Sequence, residues 1–107
     1  MTADKVWIVD DDRSIRWVLE KALMQEGLEA TAFEDAQTLL NKLGKEKPHA
    51  IVTDIRMPGI DGLTLLAKIR LEHPDVPVIV MTAHSDLDSA VSSYQGGAFE
   101  YLPKPFD

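Results

Sequence analysis

With 107 residues, 45% of them hydrophobic, the chain is sized for one compact domain with a real core, which excludes a disordered segment. A net charge of −7 argues against a domain that grips nucleic acid by itself, since duplex binding needs a basic face. The lack of cysteine excludes disulfides and thiolate metal sites.

The first element predicted is a buried strand, Val6-Trp7-Ile8-Val9, a short apolar run that ends in acids. A helix follows, with Ile15, Val18, Leu19, Ala22 and Leu23 on its core face and Gly27 closing it. Leu28 to Phe33 has β character. Ala36, Leu39, Leu40 and Leu43 repeat at helical spacing, and Gly44 stops that helix. Ala50-Ile51-Val52-Thr53 is a third strand, ending at Asp54 and followed by a Pro58-Gly59 turn. Leu63, Leu66, Ala67 and Arg70 mark the face of another helix, which ends before Pro74. Pro77 to Met81 is a fourth strand. Ser85 with Asp88 reads as a capping box for a helix bearing Leu87, Ala90, Val91 and Tyr94, ended by Gly96-Gly97. Ala98 to Leu102 is the fifth strand, followed by Pro103-Lys104-Pro105. A final helix is expected after it and does not appear within these residues.

Regular β/α alternation with near-continuous apolar strands implies an α/β fold, a parallel sheet covered on both faces and doubly wound. Such sheets bind ligands at the carboxyl ends of their strands. The polar start, Met1-Thr2-Ala3-Asp4-Lys5, lacks the apolar segment of a signal peptide, and no run approaches the ~18 residues of a membrane span. A cytoplasmic protein with no membrane partner is expected.

The chemistry gathers at one rim. Asp10, Asp11 and Asp12 follow strand one, Asp54 ends strand three, Thr82 ends strand four and Lys104 follows strand five. Any one of them alone reads as a loop or helix-capping residue; together they form a set. Clustered carboxylates repel unless a cation binds. Oxygen ligands of this kind suit Mg²⁺, which takes few carboxylates together with phosphate and water. A carboxylate is a competent nucleophile toward phosphorus, and the Lys104 ammonium and Thr82 hydroxyl are suited to the phosphoryl oxygens.

Four motifs carry a resemblance: Val9-Asp10-Asp11-Asp12, Asp54-Ile55-Arg56-Met57-Pro58-Gly59-Ile60-Asp61-Gly62, Met81-Thr82-Ala83 and Lys104-Pro105-Phe106. Together they resemble the receiver domains of two-component response regulators over essentially the whole chain. Ser14 to Glu20, Met81 to Asp88 and Tyr101 to Asp107 are similar to the nitrogen-regulation activators of that family.

The resemblance implies a flavodoxin-like sheet of strand order 2-1-3-4-5, here lacking its last helix, and a phosphoacceptor switch rather than an enzyme. It implies that Asp54 is phosphorylated by a sensor histidine kinase. Asp11, Asp54 and the main-chain carbonyl of Arg56 would bind Mg²⁺ directly, and Asp10 would do so mainly through water. Asp12 stays a helix cap. Lys104 would pair with the phosphoryl group, Thr82 and Tyr101 would carry the switch, and the Lys104-Pro105 bond would be cis. Output domains beyond residue 107, an ATPase acting on an alternative sigma factor and a DNA-binding domain, and a homodimer of the full protein are implied as well.

Three other readings compete, one of them a receiver that works as a protein-interaction module without phosphorylation, which the complete acid set argues against. A haloacid-dehalogenase-type phosphatase would use Asp10 as nucleophile within Asp10-Asp11-Asp12-Arg13-Ser14, but it lacks an acidic pair after Lys104 and room for a cap. A flavodoxin-like cofactor binder would need a phosphate loop after strand one, where acids stand instead. His49, His73 and His84 are read as solvated. Trp17 and Met24, seven residues apart, project opposite the core face of the first helix, either as scattered surface residues or as a contact surface.

Overall fold

The computed structural model describes residues 4–83, 97 and 100–104, with residues 82, 83 and 100–104 described by their backbone. In chain order the elements are β1 (Lys5–Val9), α1 (Arg13–Gln25), β2 (Glu29–Phe33), α2 (Ala36–Leu43), β3 (Ala50–Asp54), α3 (Gly62–Glu72), β4 (Val78–Ala83) and β5 (Glu100–Lys104). The strands form one parallel sheet in the order β2-β1-β3-β4-β5. The expected helix over Leu87 to Tyr94, its Ser85–Asp88 capping box, His84 and the Lys104-Pro105 bond lie outside the described residues.

The strands are apolar on both faces because both are covered. Trp7, Val9, Ile51, Val78 and Val80 face α2 and α3, where Leu39, Leu43, Leu65, Leu66 and Ile69 complete the main core. Trp7 meets Phe33 edge-on, with ring centroids 5.5 Å apart and an interplanar angle of 63°. Each fully buried Leu or Ile contributes about 1.5–3 kcal/mol. On the opposite face Val6, Val52 and Met81 carry Ile15, Leu19 and Leu23 of α1, with Leu28 and Ile79 beside them.

Two helices sit differently from expectation. In α1, Ile15, Leu19 and Leu23 do pack on the sheet, but Val18 is 44% exposed and Ala22 is exposed as well. The contact stripe is narrower than the apolar pattern, because among the described residues α1 has the sheet on one side and no neighbouring helix on the other. In α3 the buried positions are Gly62, Leu65, Leu66 and Ile69, while Ala67 and Arg70 are exposed. The core face is thus rotated from the expected Leu63, Leu66, Ala67, Arg70 set. Arg70 serves the helix end instead, where its guanidinium donates to the Pro74 carbonyl at 2.8 Å.

The last two strands run further than expected. β4 continues through Thr82 to Ala83, and β5 takes in Pro103 and Lys104. β5 is an edge strand, where a proline costs no ladder bond on the open side.

Candidate functional site

Register brings the acids together. Val9 of β1 pairs with Thr53 of β3, so the next residues on the two chains, Asp10 and Asp54, emerge side by side at the carboxyl end of the sheet. One ligand oxygen from each of Asp10, Asp11 and Asp54 lies within 4.8 Å of the others. Asp10 is fully buried, Asp54 half-buried and Asp11 exposed. The site therefore grades from a dry floor to an open mouth.

Local hydrogen bonds fix the first acid. The Asp10 N–H donates to the Phe33 carbonyl at 3.2 Å, extending the sheet by one residue. Its Oδ1 accepts from the Asp12 N–H at 2.8 Å. Its carbonyl accepts from the Arg16 guanidinium at 2.5 Å. No motif in the sequence marks Arg16 for this bond; its spacing of six residues from Asp10 is what a reach back from the first turn of α1 requires. Asp12 is the helix cap expected of it. Its carboxylate accepts from the Ser14 N–H at 2.8 Å and the Ile15 N–H at 3.4 Å.

The second acid is held from below and behind. Buried Thr53 donates its hydroxyl to the Asp54 carbonyl at 3.0 Å. The next N–H, of Ile55, donates to the Met81 carbonyl at 3.2 Å, tying the segment to β4. Pro58-Gly59 then turns the chain, with Gly59 at φ 75°. Asp61 caps α3 by accepting from the Thr64 N–H at 2.8 Å, and the Gly62 N–H donates back to the Ile55 carbonyl at 2.7 Å. A Cβ on Gly62 would fall 2.0 Å from the Asp54 carbonyl oxygen and 2.7 Å from the Ile55 Cα. Only glycine lets α3 start this close to the backbone of Asp54. Sequence pattern does not disclose that role either.

The remaining candidates are placed by backbone. Arg56 stands two residues beyond Asp54 with its side chain exposed. Asp54 pairs with Met81, and Thr82 is the next residue of β4. Across the sheet Thr82 pairs with Pro103 and Ala83 with Lys104, while Tyr101 pairs with Val80. Thr82 and Lys104 thus lie at the same carboxyl rim as the acids, and Tyr101 lies deeper in the strand.

Three carboxylates converging within 4.8 Å are a hard-oxygen donor set with a charge that only a cation offsets well. The set fits Mg²⁺, which leaves part of its coordination to water and phosphate oxygens.

Comparison with known proteins agrees with this geometry. A family profile for the response regulator receiver domain matches residues 6–107. The DNA-binding transcriptional regulator NtrC of Escherichia coli is 62% identical over 102 residues, covering 95% of this chain and 22% of that protein. This chain therefore spans about a fifth of the length of such a relative. The solved receiver domain of nitrogen regulatory protein C in its apo form is 60% identical, with a TM-score of 0.88, and this chain covers 86% of it. The beryllofluoride-activated form of that domain gives a TM-score of 0.83 at the same identity and coverage. No helix among the described residues is long and apolar enough to cross a membrane. The chain belongs to the response regulator receiver domain family and is of the NtrC-like kind.

Proposed function

We propose that this chain is a phosphorylation switch in which Asp54 accepts a phosphoryl group from a sensor histidine kinase. The observation that carries the reading is the convergence of Asp54 with Asp10 and Asp11 at the carboxyl end of the central strands. An Asp54 carboxylate oxygen forms the new P–O bond and the P–N bond of the donor phosphohistidine breaks. The electron pair goes to the imidazole nitrogen, which is reprotonated from solvent. Bound Mg²⁺ would offset the charge that develops on the phosphoryl oxygens.

The chain's own residues set the geometry. Exposed Asp11, Asp54 and the Arg56 carbonyl would hold the metal directly, and Asp10, fixed through Asp12 and Arg16, would act on it mainly through water. Lys104 supplies a compact positive charge to one phosphoryl oxygen, and the Thr82 hydroxyl donates to another. Movement of the Thr82 hydroxyl toward the phosphoryl group would free space into which Tyr101 would turn, remodelling β5 and the segment bearing Leu87, Ala90, Val91 and Tyr94. One or two charge-assisted hydrogen bonds, each worth ~1.5–3 kcal/mol, suffice to reverse an equilibrium of a few kcal/mol. The readout goes to output domains of a longer cytoplasmic protein, by likeness to NtrC a dimeric transcriptional activator of nitrogen regulation.

Acetyl phosphate with Mg²⁺ tests this. The chain should gain the mass of one phosphoryl group, and Asp54→Asn should gain none. Labelling lost in Asp10→Asn but retained in Asp54→Asn would instead support Asp10 as nucleophile, the phosphatase arrangement. Nothing in the comparisons favours that arrangement.

A further inference from the structure

The outer face of α1 takes no part in the acidic site. Trp17 is 60% exposed and Met24 63%, unusual for residues of that size. With Glu20 and Lys21 between them, and Gln25 beside Met24, they line one shallow depression. At 100° per residue, positions 17, 20, 21 and 24 occupy a single stripe. The Lys21 ammonium lies 5.1 Å from the centre of the Trp17 ring, so its stem already runs along this face. Neither Glu20 nor Lys21 forms an ion pair among the described residues.

The order of the four residues is symmetric. Reading Trp17, Glu20, Lys21, Met24 in either direction from the midpoint between 20 and 21, a charge comes first and a large apolar side chain second. A two-fold axis through that midpoint lays a second copy of α1 antiparallel on the first. Trp17 then meets Met24 of the other copy, a sulfur–aromatic contact. Glu20 meets Lys21 of the other copy, twice over. Opposite charges and matching apolar groups thus arise from one surface applied to itself, the condition for an isologous contact.

We infer that this face of α1 docks against the same face of a second copy of this chain, forming a two-fold antiparallel helix pair. One helix stripe from each copy buries less than the ~1,200 Å² of a standard stable interface, so the association is weak and concentration-dependent. It is independent of the phosphorylation reading.

Sedimentation of the chain across a concentration series, with tryptophan emission recorded alongside, tests it. Trp7 is already buried at 1% exposure, so a blue shift with concentration reports Trp17. Glu20→Lys and Lys21→Glu each oppose like charges across the axis and should weaken the dimer roughly tenfold. The double variant E20K/K21E restores both pairs with their signs exchanged and should recover wild-type association. Both positions are at the surface of α1, so the fold is retained, which circular dichroism verifies. A chain that stays monomeric throughout overturns the inference. So does a dimer indifferent to the single variants, or a double variant that fails to recover, since each means a different contact.

Discussion

Gly62 stands so close to Asp54 that a Cβ on it would lie 2.0 Å from the Asp54 carbonyl oxygen. The helix that follows Asp54 is thereby pinned to the backbone of Asp54 itself. In an ordinary helix, replacing glycine by alanine gains up to ~1 kcal/mol from propensity. Here the obstructing atoms are backbone and cannot swing aside, so the clash outweighs that gain. Gly62→Ala should destabilise the chain by about 1–3 kcal/mol. It should also slow acetyl phosphate labelling, because the β3 end must shift. Urea unfolding and labelling rates measure the two effects.

Arg16 donates to the Asp10 carbonyl at 2.5 Å and so couples the first turn of α1 to the loop that presents the acids. Arg16→Met keeps much of the stem and removes the bond. A loss of ~1.5–3 kcal/mol is expected for a charge-assisted hydrogen bond. Weaker Mg²⁺ binding should accompany it, because Asp10 and Asp11 lose their fixed placement. Unchanged metal affinity in Arg16→Met would mean the loop holds its shape without α1.

Asp11 provides a test with opposite signs. Mg²⁺ at ten times its dissociation constant should raise stability by about 1.4 kcal/mol, and an equal ionic strength of NaCl should not. In Asp11→Asn the metal-free chain should become more stable by up to about 1 kcal/mol, since a repulsive charge is gone. Its response to Mg²⁺ should fall sharply. Thermal melts with and without the metal read both outcomes.

Asp35 gives a pH dependence. Its carboxylate caps α2 by accepting from the Thr38 N–H at 2.8 Å and the Thr38 hydroxyl at 2.8 Å. The backbone bond first, and the hydroxyl second, hold its pKa below the usual 3.8. A folded-state pKa below the unfolded one means the stabilisation is present above 3.8 and is lost as pH falls through the folded value. Asp35→Ala should therefore be less stable than the parent at neutral pH, and the two should converge in acid below pH 3.8. A gap that persists at low pH would assign the loss to something other than the charged cap.

Much of the fold was legible because both faces of a parallel sheet are buried. Val6 to Val9, Ala50 to Thr53 and Val78 to Met81 therefore read as unbroken apolar runs, and each gives way to polar residues at the same rim. That ordering puts Asp10, Asp11, Asp12 and Asp54 at one rim, while the family resemblance singled out Asp12 as the helix cap outside the cluster. The phase of the helices was less legible. Val18 and Ala22 belong to the apolar pattern of α1, yet burial depends on which neighbours lie beside the helix as well as on the sheet beneath it. Ala67 misled in α3 for a related reason: Leu65, Leu66 and Ile69 outweigh it in apolar area and draw their own side inward. The Arg16 bond and the close approach at Gly62 are three-dimensional coincidences of a side chain and a backbone atom, and no periodicity announces them.

The position of the phosphoryl group is the central claim, and borohydride trapping measures it most directly. Reduction of an aspartyl phosphate leaves homoserine at the acceptor. After treatment with acetyl phosphate and Mg²⁺, then reduction and peptide mass mapping, homoserine should appear at position 54 and nowhere else. Homoserine at position 10 or 11, or none at any aspartate under conditions where the chain has gained phosphoryl mass, would contradict the account.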